Sequence, residues 1–225
     1  MRETLEFLKR RHSVRQYKDE PLTDSEISVL KAEIDAVNSE SGLNIQLITN
    51  EPKAFSTRIA KYGKFEGVSN YFAIVGVKCK QLYEKCGYYG ERLVLLAHKM
   101  GLGACWVGIG YKNVAEAIEI RDVEQLVILI AVGHGRNRGL PRKSKNPRDV
   151  SNVTDTSPEW FKLGVEAALT APTAINQQKF YFTLNEDGTV TAKAKLGPYS
   201  KLDLGIVKYH FEICAGKDNF SFTET

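Results

Sequence analysis

Hydrophobic residues recur three or four positions apart near the start of the chain, with polar residues between them. This spacing is typical of helices that bury one face. It predicts a first helix from Glu3 to Arg10 and a second from Asp24 to about Asn38. Thr23 and Glu26 form a capping-box pattern, which predicts where the second helix begins.

Short apolar runs rich in β-branched residues follow, and such runs predict buried strands. A long segment before Gly101 predicts a helix that ends there, because glycine readily adopts the left-handed conformation that closes helices. The predicted strands are Ile45–Thr49, Tyr71–Val77, Ala104–Val107 and Leu126–Val132.

The pattern begins again late in the chain. Thr156 and Glu159 repeat the capping-box spacing around Pro158, and an apolar helical stripe follows. The next segment, ALTAPTAINQQKFYFT, resembles AVNSESGLNIQLIT from the first part of the chain.

We interpret this repetition as two diverged copies of one unit, roughly residues 20–110 and 155–222, joined by a basic segment. It predicts an α+β fold in which two helix-flanked, mostly antiparallel sheet units pack as an internal pseudo-dimer. The predicted division is residues 1–150 and residues 151–225.

The composition is that of an ordinary globular protein: the 225 residues are 43% hydrophobic and 26% charged, with a net charge of +4. Lysines and arginines are dispersed except between Arg136 and Arg148, which favours a local anion site over a nucleic-acid surface. The sequence shows no signal-peptide pattern and no apolar run long enough to span a membrane. We therefore expect a cytoplasmic protein that binds neither nucleic acid nor membrane.

The cysteines do not have the spacing of a metal site. They form no C-x-x-C pair, and no histidine stands at zinc-ligand spacing from Cys79, Cys86, Cys105 or Cys214. Thiols in a reducing compartment are expected, and no metal site is predicted.

The segment Arg11–Arg15, RHSVR, places cations and a hydroxyl on a turn after the first predicted helix. Such a group can bind phosphate through charge-assisted hydrogen bonds. Cations after a helix also commonly cap its carbonyls or lie on the surface. The short R-x-S-x-R pattern does not by itself decide between these interpretations.

The segment Ala171–Gln178, APTAINQQ, places proline and asparagine where a helix ends. Pro172 stops the helix and Asn176 suits a turn. Backbone groups freed at such a break are also available to a planar ligand, so a structural and a binding role are compatible.

Two other segments have competing interpretations. Lys143-Ser144-Lys145 is either part of a phosphate site or a solvated basic loop. The glycine-rich stretch Gly101–Gly110 leaves a helix and enters a strand, the reverse of a dinucleotide-binding fingerprint. Gly108 would allow close approach of a ligand, and tight packing explains it equally well.

The segments RHSVR and APTAINQQ resemble the flavin mononucleotide (FMN) sites of the nitroreductase family, which carry motifs like RHSxR and APSxxNxQ. Lys179-Phe180 departs from that pattern, since Pro-Trp is typical of the family at this point. The resemblance implies the nitroreductase fold, whose ordinary members are homodimers with flavin sites built by both subunits. Here more than half the chain separates the two motifs, with the first in the N-terminal part and the second in the C-terminal copy, so we expect a monomer with an internal pseudo-dimer.

The resemblance also implies which residues contact FMN. Arg11, Ser13, Lys143 and Lys145 would bind the phosphate, and Arg15 would lie near the pyrimidine ring. The other implied contacts are His12 in the first motif, Lys64 near flavin N1 and O2, Val107, Gly108 and Ile109 beside the ring, and Pro172, Thr173, Ala174, Asn176 and Gln178 in the second motif.

The function implied by the resemblance is oxidation of NADH or NADPH by bound FMN, through hydride transfer at flavin N5. Electrons then pass by a ping-pong mechanism to a nitroaromatic, a quinone or a similar small acceptor. The flavin carries this chemistry, so no side chain is expected to act as an acid or base. The alternative is a flavin-binding or structural protein with this fold and no efficient turnover.

Overall fold

The computed structural model describes residues 1–112 and 114–223. Its contacts divide the chain into two compact units. The sheet unit comprises His12–Leu82 and Tyr89–Leu140, and the hairpin unit comprises Met1–Arg11, Tyr83–Tyr88 and Pro141–Thr225. The predicted division at residue 150 stays a prediction, and the contacts group the first helix with the C-terminal part of the chain.

The first two helices confirm their predictions. Helix α1 spans Arg2–Lys9 and helix α2 spans Asp24–Ser41. The capping box is present, because the Glu26 N–H donates to Thr23 Oγ1 (3.2 Å) and the Thr23 N–H donates to the Glu26 carboxylate (2.8 Å). Local hydrogen bonds therefore set the start of α2 as its sequence predicts.

The sheet unit contains the predicted strands and two further helices. These elements are β1 (Gln46–Ile48), α3 (Arg58–Tyr62), β2 (Tyr71–Val77), α4 (Leu82–Lys99, with residues 83–88 in the hairpin unit), β3 (Gly103–Val107) and β4 (Glu124–Gly133). The strands pair antiparallel in the order β1-β2-β4-β3. Strand β2 is buried along almost its whole length, as its uninterrupted apolar sequence requires.

The hairpin unit contains α5 (Glu159–Thr170), β5 (Phe180–Leu184), β6 (Val190–Ala194) and α6 (Ser200–Ala215). Strands β5 and β6 pair antiparallel. Aromatic rings fill the core, where the Phe211 ring centroid lies 4.6 Å from that of Phe182 and 5.8 Å from that of Phe161. The fold is thus α+β with antiparallel sheets, as predicted.

The predicted capping box at Thr156 is wrong. Helix α5 begins at Glu159 with Pro158 as its N-cap, and no side chain caps it. Thr156 instead contacts the Thr154 hydroxyl (3.0 Å), and the Thr154 N–H donates to Ser157 Oγ (2.9 Å). Because the helix starts later than the pattern predicts, Glu159 is its first residue and cannot reach back to Thr156.

This difference gives a direct prediction. Thr23→Ala should lower the free energy of unfolding by about 1 kcal/mol, since it removes an N-cap. Thr156→Ala should change it by less than about 0.5 kcal/mol, because that side chain caps no helix. Urea unfolding of both variants checks the contrast, and equal losses would contradict it.

The predicted internal duplication stays a prediction. Apart from the short α3, both copies run helix, strand, strand, helix, and each strand pair is antiparallel. After α6, however, Phe222 makes only an isolated parallel bridge to Val190, whereas β3 pairs antiparallel with β4. Strand β4 has no counterpart among residues 141–223.

No helix within residues 1–112 and 114–223 is long and apolar enough to cross a membrane. The four cysteines are thiols, with Cys79 exposed and Cys86, Cys105 and Cys214 buried.

Candidate functional site

The predicted site residues fall into two sets, one in each unit. In the sheet unit, the segment that follows Arg11 is extended and lies beside β3. The Val14 N–H donates to the Ala104 carbonyl (3.0 Å), and Ser13 forms a parallel bridge with Ala104. Gly139 packs closely here, since a Cβ at this position would lie 2.6 Å from the Ser13 carbonyl oxygen and 2.8 Å from His12 Cβ. These contacts fix the backbone of half-buried His12 and Ser13.

Arg15 and Lys64 are both exposed, and each adjoins Phe65. The Arg15 guanidinium lies over the Phe65 ring, 5.9 Å from its centroid, and the Arg15 carbonyl accepts from the Glu66 N–H (3.0 Å). Lys64 is exposed and left-handed, with φ of 63°. Both cations are therefore exposed, and a backbone hydrogen bond holds each in place, since the Lys64 N–H donates to the Lys61 carbonyl (2.9 Å).

A cleft of about 560 Å³ opens near these cations, within the range of small-molecule sites. Its walls combine aromatic, acidic and basic side chains, and the lining residues are Asp19, Pro52, Phe55, Lys61, Phe65, Glu66, Gly67, Val68 and Ser69. The predicted contacts are not among those lining residues, although Arg15 and Lys64 adjoin Phe65.

The predicted ring-contact segment follows β3. Val107 is buried, Gly108 is half-buried and the Ile109 side chain is 72% exposed. Gly110, with φ of 92°, approaches α3 closely, because a Cβ there would lie 2.8 Å from Ile59 Cγ2. The turn after β3 is thus held by packing, which leaves Ile109 as the side chain that it presents to solvent.

In the hairpin unit, the second motif forms a tight turn with unusual backbone geometry. We call Thr173–Gln178 the left-handed turn, since Ile175, Asn176 and Gln178 have φ of 47°, 56° and 46°. Asparagine tolerates this region, but a β-branched residue such as Ile175 is strained there. Ile175 is also 89% exposed, so burial of its side chain does not compensate the strain. Strained backbone of this kind clusters at functional sites.

The left-handed turn is fastened to the segment Arg142–Lys145, which we call the basic loop. The Lys143 carbonyl accepts from Asn176 Nδ2 (2.8 Å) and Gln178 Nε2 (3.0 Å). Gln178 is 2% exposed, and its Oε1 accepts from the Lys145 N–H (2.8 Å). The structure therefore brings together two segments that the sequence separates by about 30 residues and that the resemblance assigned to one site.

The cations of the basic loop differ in their surroundings. Lys145 Nζ donates to the Gln177 and Gln178 carbonyls (3.0 and 2.9 Å), and Arg142 donates to the Leu169 and Ala171 carbonyls. The Lys143 side chain is exposed and forms no ion pair within the described ranges. Lys145 thus helps to build the turn, whereas the Lys143 ammonium is displayed to solvent.

The remaining predicted residues frame this arrangement. Pro172 is buried directly after α5 and ends that helix, as its sequence predicts. Thr173 Oγ1 accepts from the Gln178 N–H (3.1 Å), which closes the left-handed turn. Arg11, at the end of the α1 segment, is 4% exposed, and its N–H donates to the Leu8 carbonyl (3.1 Å).

Comparison with known proteins identifies the family of this chain. Residues 3–215 match the family model described as "Putative TM nitroreductase". This chain belongs to that family. No curated protein matches it in sequence.

Solved structures share the nitroreductase fold with this family member. A "putative nitroreductase" from Thermotoga maritima has a TM-score of 0.63 at 19% identity, over 92% of this chain and 81% of its own. A "putative nitroreductase" from Exiguobacterium sibiricum, solved in complex with FMN, has a TM-score of 0.53 at 17% identity, over 65% and 94%. One from Desulfovibrio desulfuricans, also in complex with FMN, has a TM-score of 0.51 at 18% identity, over 69% and 98%.

The motifs of this nitroreductase-family chain did not reveal Asp203, in the first turn of α6. Its carboxylate is 3% exposed and accepts from the Ala174 N–H (3.0 and 3.2 Å) and from Gln177 Nε2 (2.7 Å). Burial raises the pKa of the Asp203 carboxyl to about 6, although the hydrogen bonds from Gln177 and Ala174 oppose the rise. The available signal was an acidic residue inside the apolar run LDLGIV.

The raised pKa predicts how stability depends on pH. Because folding raises the pKa of Asp203, its contribution is greatest below the unfolded value of 3.8 and is lost as pH rises through about 6. A shift of about two units corresponds to about 3 kcal/mol. Asp203→Asn removes this dependence, so the variant should gain stability relative to the native protein as pH rises from about 4 to about 7. Urea unfolding across that range checks it, and a constant difference would contradict the assignment.

Proposed function

We propose that this chain is an FMN-dependent oxidoreductase that takes electrons from NADH or NADPH and passes them to a nitroaromatic, quinone or similar small acceptor. Membership in the nitroreductase family supports this, as do family-fold structures solved with FMN. The observation that carries the proposal is the set of hydrogen bonds that join the basic loop to the strained left-handed turn. It joins a displayed cation to an irregular backbone segment within one unit.

The residues present fit FMN, which supplies the redox chemistry when bound. A phosphate dianion needs several donors, and the proposed ones are the cations Arg11, Lys143 and Lys145 and the Ser13 hydroxyl. Lys143 is suited to this role because its ammonium is exposed while its carbonyl anchors the turn. The remaining proposed contacts are His12, Arg15, Lys64, Val107, Gly108, Ile109, Pro172, Thr173, Ala174, Asn176 and Gln178.

The chain's own groups have distinct tasks under this proposal. Asn176 and Gln178 direct their amides to the Lys143 carbonyl, so they shape the site more than they extend into it. Under this proposal, the backbone of the left-handed turn contacts the flavin. Arg15 and Lys64 place positive charge on the sheet unit, which would favour negative charge on a reduced ring.

Steady-state kinetics test the proposal. The FMN-reconstituted protein should oxidise NADH or NADPH when a nitroaromatic or quinone is present, with parallel double-reciprocal lines for the two substrates. Intersecting lines would contradict the ping-pong order. Failure to oxidise either nucleotide would contradict the oxidoreductase itself.

A second candidate is a flavin-binding protein without efficient turnover. It is favoured by Lys179-Phe180, which stands where the family typically has Pro-Trp, and by the use of the Asn176 and Gln178 amides inside the protein. Visible absorption retained through gel filtration, with no loss of that absorption on adding NADH or NADPH, would identify this candidate.

We also propose that the chain binds FMN as a monomer, because the two predicted motifs lie in different copies of the predicted internal repeat, so that one copy would replace a partner subunit. Light scattering of the FMN-loaded protein should give the mass of one chain, 25.2 kDa, plus one FMN. A homodimer that releases FMN on dilution would contradict this proposal.

A further inference from the structure

Asp203 binds the first part of the left-handed turn through its carboxylate. The Ala174 N–H donates to both carboxylate oxygens (3.0 and 3.2 Å), and Gln177 Nε2 donates to one of them (2.7 Å). One side chain of α6 therefore binds two points of the turn. Both points flank Ile175, which has the strained φ of 47°.

The carboxylate also determines the orientation of Gln177. Its Nε2 donates to the Pro198 carbonyl (2.7 Å) as well as to Asp203. Its Oε1 is buried and has no hydrogen-bond partner in the described part of the chain. A reversed amide would place this oxygen against two acceptors, so the observed orientation depends on Asp203 being an acceptor.

The far end of the turn is held differently. Gln178 and Asn176 bind the basic loop through the Lys143 carbonyl. The Asp203 carboxylate thus binds the turn at residues 174 and 177, and the Lys143 carbonyl binds it at residues 176 and 178. A left-handed β-branched residue persists only where surrounding contacts over-determine it, and these two anchors supply such contacts.

Holding this turn with a buried carboxylate is unfavourable for stability at neutral pH, because burial penalises the ionised form. Burial is the cause of the shift, and within the described residues no charged group contributes to it. A side chain that lowers folding stability while it holds strained backbone is typical of a functional site.

We propose that Asp203 is a positioning residue for FMN: it holds the left-handed turn in the conformation that binds the flavin, without contacting the flavin itself. This inference rests on the proposed function. It goes beyond that proposal by assigning the binding geometry to an α6 side chain outside both motifs.

The test compares Asp203→Asn with the native protein in FMN and riboflavin titrations, followed by flavin fluorescence. Asparagine keeps one acceptor, and in either amide orientation its N–H₂ faces a donor, the Ala174 N–H or Gln177 Nε2, so the anchor of the turn should weaken. Affinity should fall about tenfold for both ligands, since the turn and not the phosphate donors is disturbed. Asp187→Asn, in an exposed hairpin turn of the same unit, is the matched control and should leave both affinities unchanged.

Two further readouts separate positioning from a purely structural role. The melting temperature of the flavin-free Asp203→Asn protein should not fall, because a buried charge has been removed. Amide hydrogen exchange at residues 174–178 should become faster, while exchange in α5 and β5 stays the same. Gln177→Met, which leaves α6 intact, should give the same pattern of faster exchange and weaker binding.

The outcomes are distinguishable. If the native protein binds no FMN, the proposed function fails and the positioning role fails with it. If the native protein binds FMN and Asp203→Asn binds it equally well, only the positioning role is overturned. A lower melting temperature with unchanged affinity and exchange at 174–178 would assign Asp203 to stability alone and would also overturn it.

Discussion

Lys143→Ala is expected to weaken FMN binding by about 10- to 100-fold and to leave riboflavin binding nearly unchanged. A hydrogen bond from a charged donor contributes about 1.5 to 3 kcal/mol, which corresponds to that range. The substitution should leave the left-handed turn in place, because the Lys143 side chain is exposed. Asn176 and Gln178 bind the backbone carbonyl of residue 143, which alanine retains. Riboflavin lacks the phosphate, so its affinity should stay nearly unchanged.

Lys145→Ala should behave differently, which provides an internal comparison. Lys145 Nζ donates to the Gln177 and Gln178 carbonyls, so its removal also loosens the left-handed turn. We expect both ligands to bind more weakly. Lys193→Ala, at an exposed position of β6, controls for the loss of a surface charge. Equal losses of FMN and riboflavin affinity in Lys143→Ala would refute the phosphate assignment.

Gly205→Ala is expected to destabilise the hairpin unit by about 3 kcal/mol or more. A Cβ at Gly205 would lie 1.9 Å from the Glu84 carbonyl oxygen and 2.6 Å from the Tyr88 nitrogen. The partner Gly87 is equally constrained, since its Cβ would lie 2.0 Å from the Leu202 carbonyl oxygen. The two backbones touch, so no side chain can move aside to make room.

Thermal unfolding measures this effect. The melting temperature of Gly205→Ala should fall well below that of Lys201→Ala, a substitution at an exposed position of the same helix. A Gly205→Ala protein as stable as Lys201→Ala would show that α6 and residues 83–88 do not approach so closely.

Local patterns predicted most elements of the fold because their causes are local. Strand β2 has the predicted bounds, Tyr71–Val77, since an uninterrupted apolar run can only be buried. The cap at Thr23 was predictable for the same reason. The cap at Thr156 was not, because several polar residues precede Pro158 and the helix begins only after it.

The candidate site was only partly predictable. Both segments of the hairpin-unit set were identified from the sequence, but not that Gln178 would use its amide to join them. Asp203 was missed because its partners lie 26 and 29 residues earlier and belong to no shared pattern. Contacts between distant segments depend on how the elements pack, which local spacing does not encode.

Anaerobic titration of the FMN-reconstituted protein with NADH and NADPH tests the central claim most directly. The account predicts that one of the two nucleotides abolishes the visible flavin absorption, and that a nitroaromatic or quinone then restores it. Tightly bound FMN whose absorption neither nucleotide changes would contradict the claim that this chain is an FMN-dependent oxidoreductase.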